Sequence, residues 1–175
     1  MANKSYDGGK SWSEAVTVAT SSKYFFIEPA AIELTNGTVA VFIRENSLCG
    51  YNGFIAFSND KGLSFDGLRE LPVKGMHRPA VVFLSDGRIL LSYREHLAAG
   101  EPYRDLKMCT FDEDDLFRLD ELELEKHLID SDGSATADQG YSAWLQLPDN
   151  TLLTANYIVD DAPKAYIRGY RIKIG

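Results

Sequence analysis

Ser58-Asn59-Asp60-Lys61-Gly62-Leu63-Ser64-Phe65 is the stretch whose reading decides the fold. It repeats an earlier octad, Ser5-Tyr6-Asp7-Gly8-Gly9-Lys10-Ser11-Trp12, in the pattern Ser-x-Asp-x-Gly-x-Ser-aromatic. A third stretch, Thr110-Phe111-Asp112-Glu113-Asp114-Asp115-Leu116-Phe117, keeps the first aspartate and the closing aromatic but has Asp114 in place of the glycine. These residue types specify a turn. The aspartate accepts bonds from N–H groups of a tight loop, and the glycine takes a backbone angle other residues resist. The aromatic is expected to plug the space between neighbouring sheets. Ser5, Asp7, Gly9, Trp12, Ser58, Asp60, Gly62 and Phe65 are therefore read as structural.

Outward from the octads, a longer repeat appears. Three apolar runs, Ile27–Leu34, His77–Leu84 and Gly140–Leu147, each end in a leucine followed by Asn36-Gly37, Asp86-Gly87 or Asp149-Asn150. Such pairs accept positive φ and close hairpins. A second β-rich run follows each turn, over Thr38–Arg44, Arg88–Arg94 and Thr151–Tyr157. Third strands are expected at Gly53–Phe57, Leu106–Thr110 and Ala165–Ile174, and an outer strand at Glu121–Glu125, where acidic and apolar residues alternate. Leu34, Leu84 and Leu147 stand 50 and 63 residues apart, a spacing suited to four-stranded propeller blades.

On these octads and this repeat, the chain resembles the sialidase (neuraminidase) superfamily of BNR, or Asp-box, β-propellers. The resemblance covers nearly the whole chain. It implies an all-β, sialidase-type propeller with three four-stranded blades, half of a six-bladed ring. An orphan outer strand and its box would occupy 1–20, blades 24–74 and 75–132, and a last blade lacking its outer strand 138–175. Three blades leave open edges. Either two copies exchange terminal strands in a homodimer that closes the ring, or the chain is the C-terminal half of a longer protein.

Six residues before each aligned leucine stand Glu28, Arg78 and Tyr141. Equivalent positions on innermost strands converge on one mouth of a propeller, and this trio is not a core pattern. The resemblance implies Tyr141 as nucleophile with Glu28 as its base, because a neutral phenol is not repelled by an anionic sugar as a carboxylate would be. Arg78 and Arg44, with Arg94 behind them and His77 at the mouth, would hold the substrate carboxylate. Bland alternatives stand beside these: Arg44 and Arg94 as salt-bridging residues, Tyr141 as a satisfied core tyrosine, Glu28 and Arg78 as a tunnel-filling pair. The family's acid/base aspartate and first arginine have no counterpart here. The leading reading is a sialidase-like glycoside hydrolase module for an acidic glycan, exo-acting if active. A non-catalytic carbohydrate-binding or scaffold propeller, or a mere fragment, is the alternative.

Composition agrees with a globular domain, at 45% hydrophobic and 25% charged residues. The net charge of −8 argues against a nucleic-acid partner. No apolar run is long enough for a membrane helix, and residues 1–25 carry no signal-peptide pattern. That leaves a cytoplasmic location, or an exported one if the gene is truncated. Two cysteines, Cys49 and Cys109, fit no disulfide framework or metal motif and are read as buried free thiols. No cofactor or metal is expected.

Overall fold

The computed structural model describes residues 1–160 and 162–174. Eleven strands form three antiparallel sheets. The first holds β1 (Phe26–Glu33), β2 (Val39–Glu45), β3 (Asn52–Ser58) and β4 (Asp66–Lys74) in sequence order. The second holds β5 (Met76–Phe83), β6 (Ile89–Glu95), β7 (Arg104–Phe111) and β8 (His127–Asp132). The third holds β9 (Gln139–Gln146), β10 (Thr151–Ile158) and β11 (Tyr166–Lys173). The first strands of the sheets adjoin one another, β1 against β5 and β5 against β9.

The three expected hairpins are present, and their turns are copies of one another. Leu34, Leu84 and Leu147 donate their N–H groups to the carbonyls of Thr38, Arg88 and Thr151 at 2.8 Å each. Gly37, Gly87 and Asn150 then donate back to the same leucines. Each has φ between 60° and 90°, so the loop is a tight turn closed by one left-handed residue. The side chains of Asn36, Asp86 and Asp149 cap the turns by accepting from the N–H two residues on.

The cores lie between the sheets. Phe42, Ile55, Phe57, Leu71 and Val73 of the first sheet meet Ile89, Leu91, Tyr93, Cys109 and Phe111 of the second. Leu84, Leu90 and Met108 of the second meet Leu152, Trp144 and Ile172 of the third. β2, β3 and β6 are buried on both faces, which explains their near-continuous apolar runs.

Several expectations need correction. Glu121–Glu125 is not a strand; the outer strand of the second sheet is β8, a few residues later. Leu122 and Leu124 nevertheless pack on the core, so the alternation marks an irregular segment with one side inward. Residues 1–25 hold a single bridge, Ala2 to Val16, in place of a continuous outer strand. Cys49 is exposed, whereas Cys109 is buried and its thiol is pushed up to about 12 by that burial.

The two intact octads close the same loop. Asp7 accepts from the N–H groups of Lys10 and Ser11 and the hydroxyls of Ser5 and Ser11. Asp60 accepts from Leu63, Ser64, Ser58 and Ser64 in the same geometry, within 0.1 Å bond for bond. Ser5 and Ser58 each accept from the glycine four residues on, at 2.7 Å. The stretch with Asp114 in place of glycine makes a short 3-10 turn, Glu113–Phe117, instead. Phe65 packs on the first sheet, but Trp12 is 64% exposed and plugs no gap.

Candidate functional site

Glu28, Arg78 and Tyr141 come together although they lie in three different sheets. They line one open cavity of about 270 Å³ with Pro29, Pro79, Ala80 and Ser142. The local cause is the same in each sheet. Glu28 and Pro29 together oppose the single residue Ile43, because the β1–β2 register slips between Ile27 and Ala30. Arg78 and Pro79 bulge against Tyr93 in the same way, and Tyr141 and Ser142 against Asn156. The first residue of each bulge is left-handed, with φ of 46°, 51° and 60°. That geometry ordinarily selects glycine and costs an L-residue about 1–2 kcal/mol. Here it turns one polar side chain per sheet into the shared cavity.

Around Glu28 the contacts are ionic. Arg44 Nη1 donates to Glu28 Oε2 at 2.5 Å, and its Nη2 donates to the Asn46 side chain at 2.5 Å. Arg78 Nη1 lies 3.8 Å from Glu28 Oε1, too far for a hydrogen bond. The Tyr141 hydroxyl donates to that same Oε1 at 3.4 Å. Tyr141 itself is 62% exposed, which removes the core-tyrosine alternative. Arg78 Nε and Nη1 are buried without a hydrogen-bond acceptor among the described residues. A cation in that state has unmet capacity for an anion.

Arg44 and Arg94 are both buried, at 7% and 6% exposure. They share a place in their sheets but pair differently. Arg94 does not reach Glu28; it binds the carboxylate of Asp138 and, at 3.1 Å, the carbonyl of Gln139 in the third sheet. His77 is not among the cavity's lining residues. It is 1% exposed, packed edge-on to His96, and burial beside Arg44 and Arg94 pushes its imidazole down to about 2. It is a neutral, buried histidine.

Asp138 and Tyr157 stand behind the cavity without lining it, and the sequence reading does not single them out. Tyr157 packs 6.0 Å from the Tyr141 ring, and burial, followed by the nearby Asp138 carboxylate, raises its phenol. The signal was available. Tyr157 stands ten residues past Leu147, where Arg44 and Arg94 stand relative to Leu34 and Leu84. No cluster of metal-binding side chains occurs among the described residues.

No family model and no curated protein sequence matches the chain. Solved structures do. A protein of unknown function from Dyadobacter fermentans is 26% identical, with a TM-score of 0.81 over 99% of this chain and 45% of its own. The Penicillium chrysogenum alpha-L-arabinanase, solved with arabinobiose, gives 15% identity and a TM-score of 0.69 over 90% and 50%. The intramolecular trans-sialidase of Ruminococcus gnavus, solved with oseltamivir carboxylate, gives 17% and 0.61 over 98% and 37%. This is a sialidase-like propeller fold. The chain spans half or less of the length of each of these three proteins.

Proposed function

We propose that the chain is a sialidase-like glycoside hydrolase module that recognises an acidic glycan at the Glu28–Arg78–Tyr141 cavity. In this reading its three sheets are three blades, with the octads as aspartate boxes between third and outer strands, and they form half of a six-bladed ring. The observation that carries it is the Tyr141 hydroxyl directed at Glu28, beside an Arg78 guanidinium that no protein acceptor satisfies. Tyr141 is the nucleophile: its phenol attacks the anomeric carbon as the glycosidic C–O bond breaks, Glu28 receives the phenol proton, the departing aglycone oxygen takes a proton from water, and Arg78 binds the sugar's carboxylate. Arg44 holds Glu28 in place rather than reaching substrate, since Glu28 and Asn46 already occupy its two terminal nitrogens and it does not line the cavity. Arg94 and His77 stand behind the site.

One observation favours a second reading, binding without turnover. Glu28 is the one carboxylate lining the cavity among the described residues, and glycoside hydrolysis uses a second group to protonate the leaving oxygen. A fluorogenic sialoside separates the two. The first reading expects turnover that Tyr141→Phe lowers at least about a thousandfold while sugar binding persists. Binding of N-acetylneuraminic acid with no turnover selects the second. Absence of both rejects the acidic-glycan site.

A further inference from the structure

Arg78 Nη1 stands 3.8 Å from the Glu28 carboxylate, an ion pair just beyond hydrogen-bonding distance, and does not close the gap. What holds it is a cradle from the third sheet. Its Cζ sits 3.8 Å from the centroid of the Tyr141 ring and 5.8 Å from that of Tyr157, both within cation–π range. Beneath it lies Gly140, at φ of 145°; a Cβ there would meet Arg78 Cδ at 2.8 Å, so only glycine leaves room for the arginine stem. Tyr157 is partly buried near Asp138, which Arg94 anchors and whose N–H donates to the buried Asp132 carboxylate at 3.1 Å.

We propose that Tyr157 is a positioning residue whose ring keeps the Arg78 guanidinium stacked on Tyr141 and short of a hydrogen bond to Glu28, open to an incoming carboxylate. Without the Tyr157 ring the guanidinium swings onto Glu28. That single movement removes the cation that reads the ligand and ties up the carboxylate beside Tyr141. The proposal rests on the acidic-glycan reading for its ligand, but the cradle is measurable without any ligand.

The test uses the Arg78 Nε–H resonance of the full chain, assigned by its loss in Arg78→Lys. Aromatic faces shift it upfield. Tyr157→Phe keeps the ring and leaves it in place, whereas Tyr157→Leu moves it to the ordinary arginine position. Gly140→Ala displaces the same resonance by crowding the stem, and carries the test should Tyr157→Leu fail to fold. An unmoved resonance in a folded Tyr157→Leu, or in Gly140→Ala where only that variant folds, overturns the proposal. With N-acetylneuraminic acid as probe, Tyr157→Leu binds about tenfold more weakly and Tyr157→Phe within about threefold of the parent. The sugar's methyl ester, lacking the charge, does not distinguish the two variants. Equal loss of the acid and the ester in Tyr157→Leu also overturns it. A shifted resonance with no sugar binding in any form leaves the cradle standing and removes the glycan reading instead.

Discussion

At one end of the three sheets the chain turns through Gly37, Gly87 and Asn150; at the other it passes through Glu28, Arg78 and Tyr141. Both sets are left-handed, and both recur at one position per sheet. The first set uses residues that tolerate the conformation, and its turns are locked by backbone bonds and capping side chains. The second uses residues that resist it, and is held by ion pairs and ring contacts. Of these six positions, the residues that resist the conformation fall where side chains are presented, although Leu48, Lys61 and Asp160 carry positive φ in loops elsewhere.

The sharpest way to break this contrast is to remove the charge that sustains the cavity end. Glu28→Ala leaves the buried Arg44 with Asn46 alone and should destabilise by about 2–4 kcal/mol in urea unfolding, below the full range for a buried pair because Glu28 is partly exposed. If the loss is no larger than for an ordinary surface substitution, ion pairing does not hold that end. Acid should act next. Folded His77 stays neutral down to about 2, while the unfolded chain takes up its proton below about 6.5. Its contribution is therefore complete above pH 6.5 and declines as pH falls toward 2, by roughly 1–2 kcal/mol between 6.5 and 5. The turn end should be indifferent over that interval. Ser11 and Ser64, through hydroxyl and backbone bonds, hold Asp7 and Asp60 near 2, so their bonds weaken only below about pH 4. A melting temperature that is flat from pH 7 to 5 contradicts the account, as does an unchanged slope in His77→Gln.

Two smaller effects compare the backbones directly. Gly87→Ala meets open space but must hold φ of 90°, and should cost about 1–2 kcal/mol by strain alone. At the other end glycine is favoured in the same sense: Tyr141→Gly should be more stable than Tyr141→Ala by about 1 kcal/mol, because both remove the ring and only glycine relaxes the bulge. Equal melting temperatures for that pair would remove strain from the description of the site.

The turn end was largely legible in the residues. Asn36-Gly37 and Asp86-Gly87 name their own geometry, and the octad pattern predicts the N–H bonds that Asp7 and Asp60 accept, though not those from the serine hydroxyls. The convergence of Glu28, Arg78 and Tyr141 followed from counting back from a shared leucine. Their bulges were half visible: a proline inside a strand belongs at an edge or an irregularity, and Pro29 and Pro79 each follow a site residue. Tyr141-Ser142 carries no such mark. The partners of Arg94 and the burial of His77 were out of reach, because they depend on how neighbouring sheets meet and not on order within one strand. Trp12 misled for a related reason, since the octad fixes the loop but not what covers its aromatic.

The repeated bulge makes the binding surface editable. Each sheet contributes one outward-turned position whose side chain takes no part in the ladder beneath it. Exchanging Arg78 for another residue would rewrite what the cavity recognises while the distant loops around Asp7 and Asp60 go on folding the same scaffold. Ligand preference in such a molecule can drift one letter at a time, with no need to reinvent the architecture.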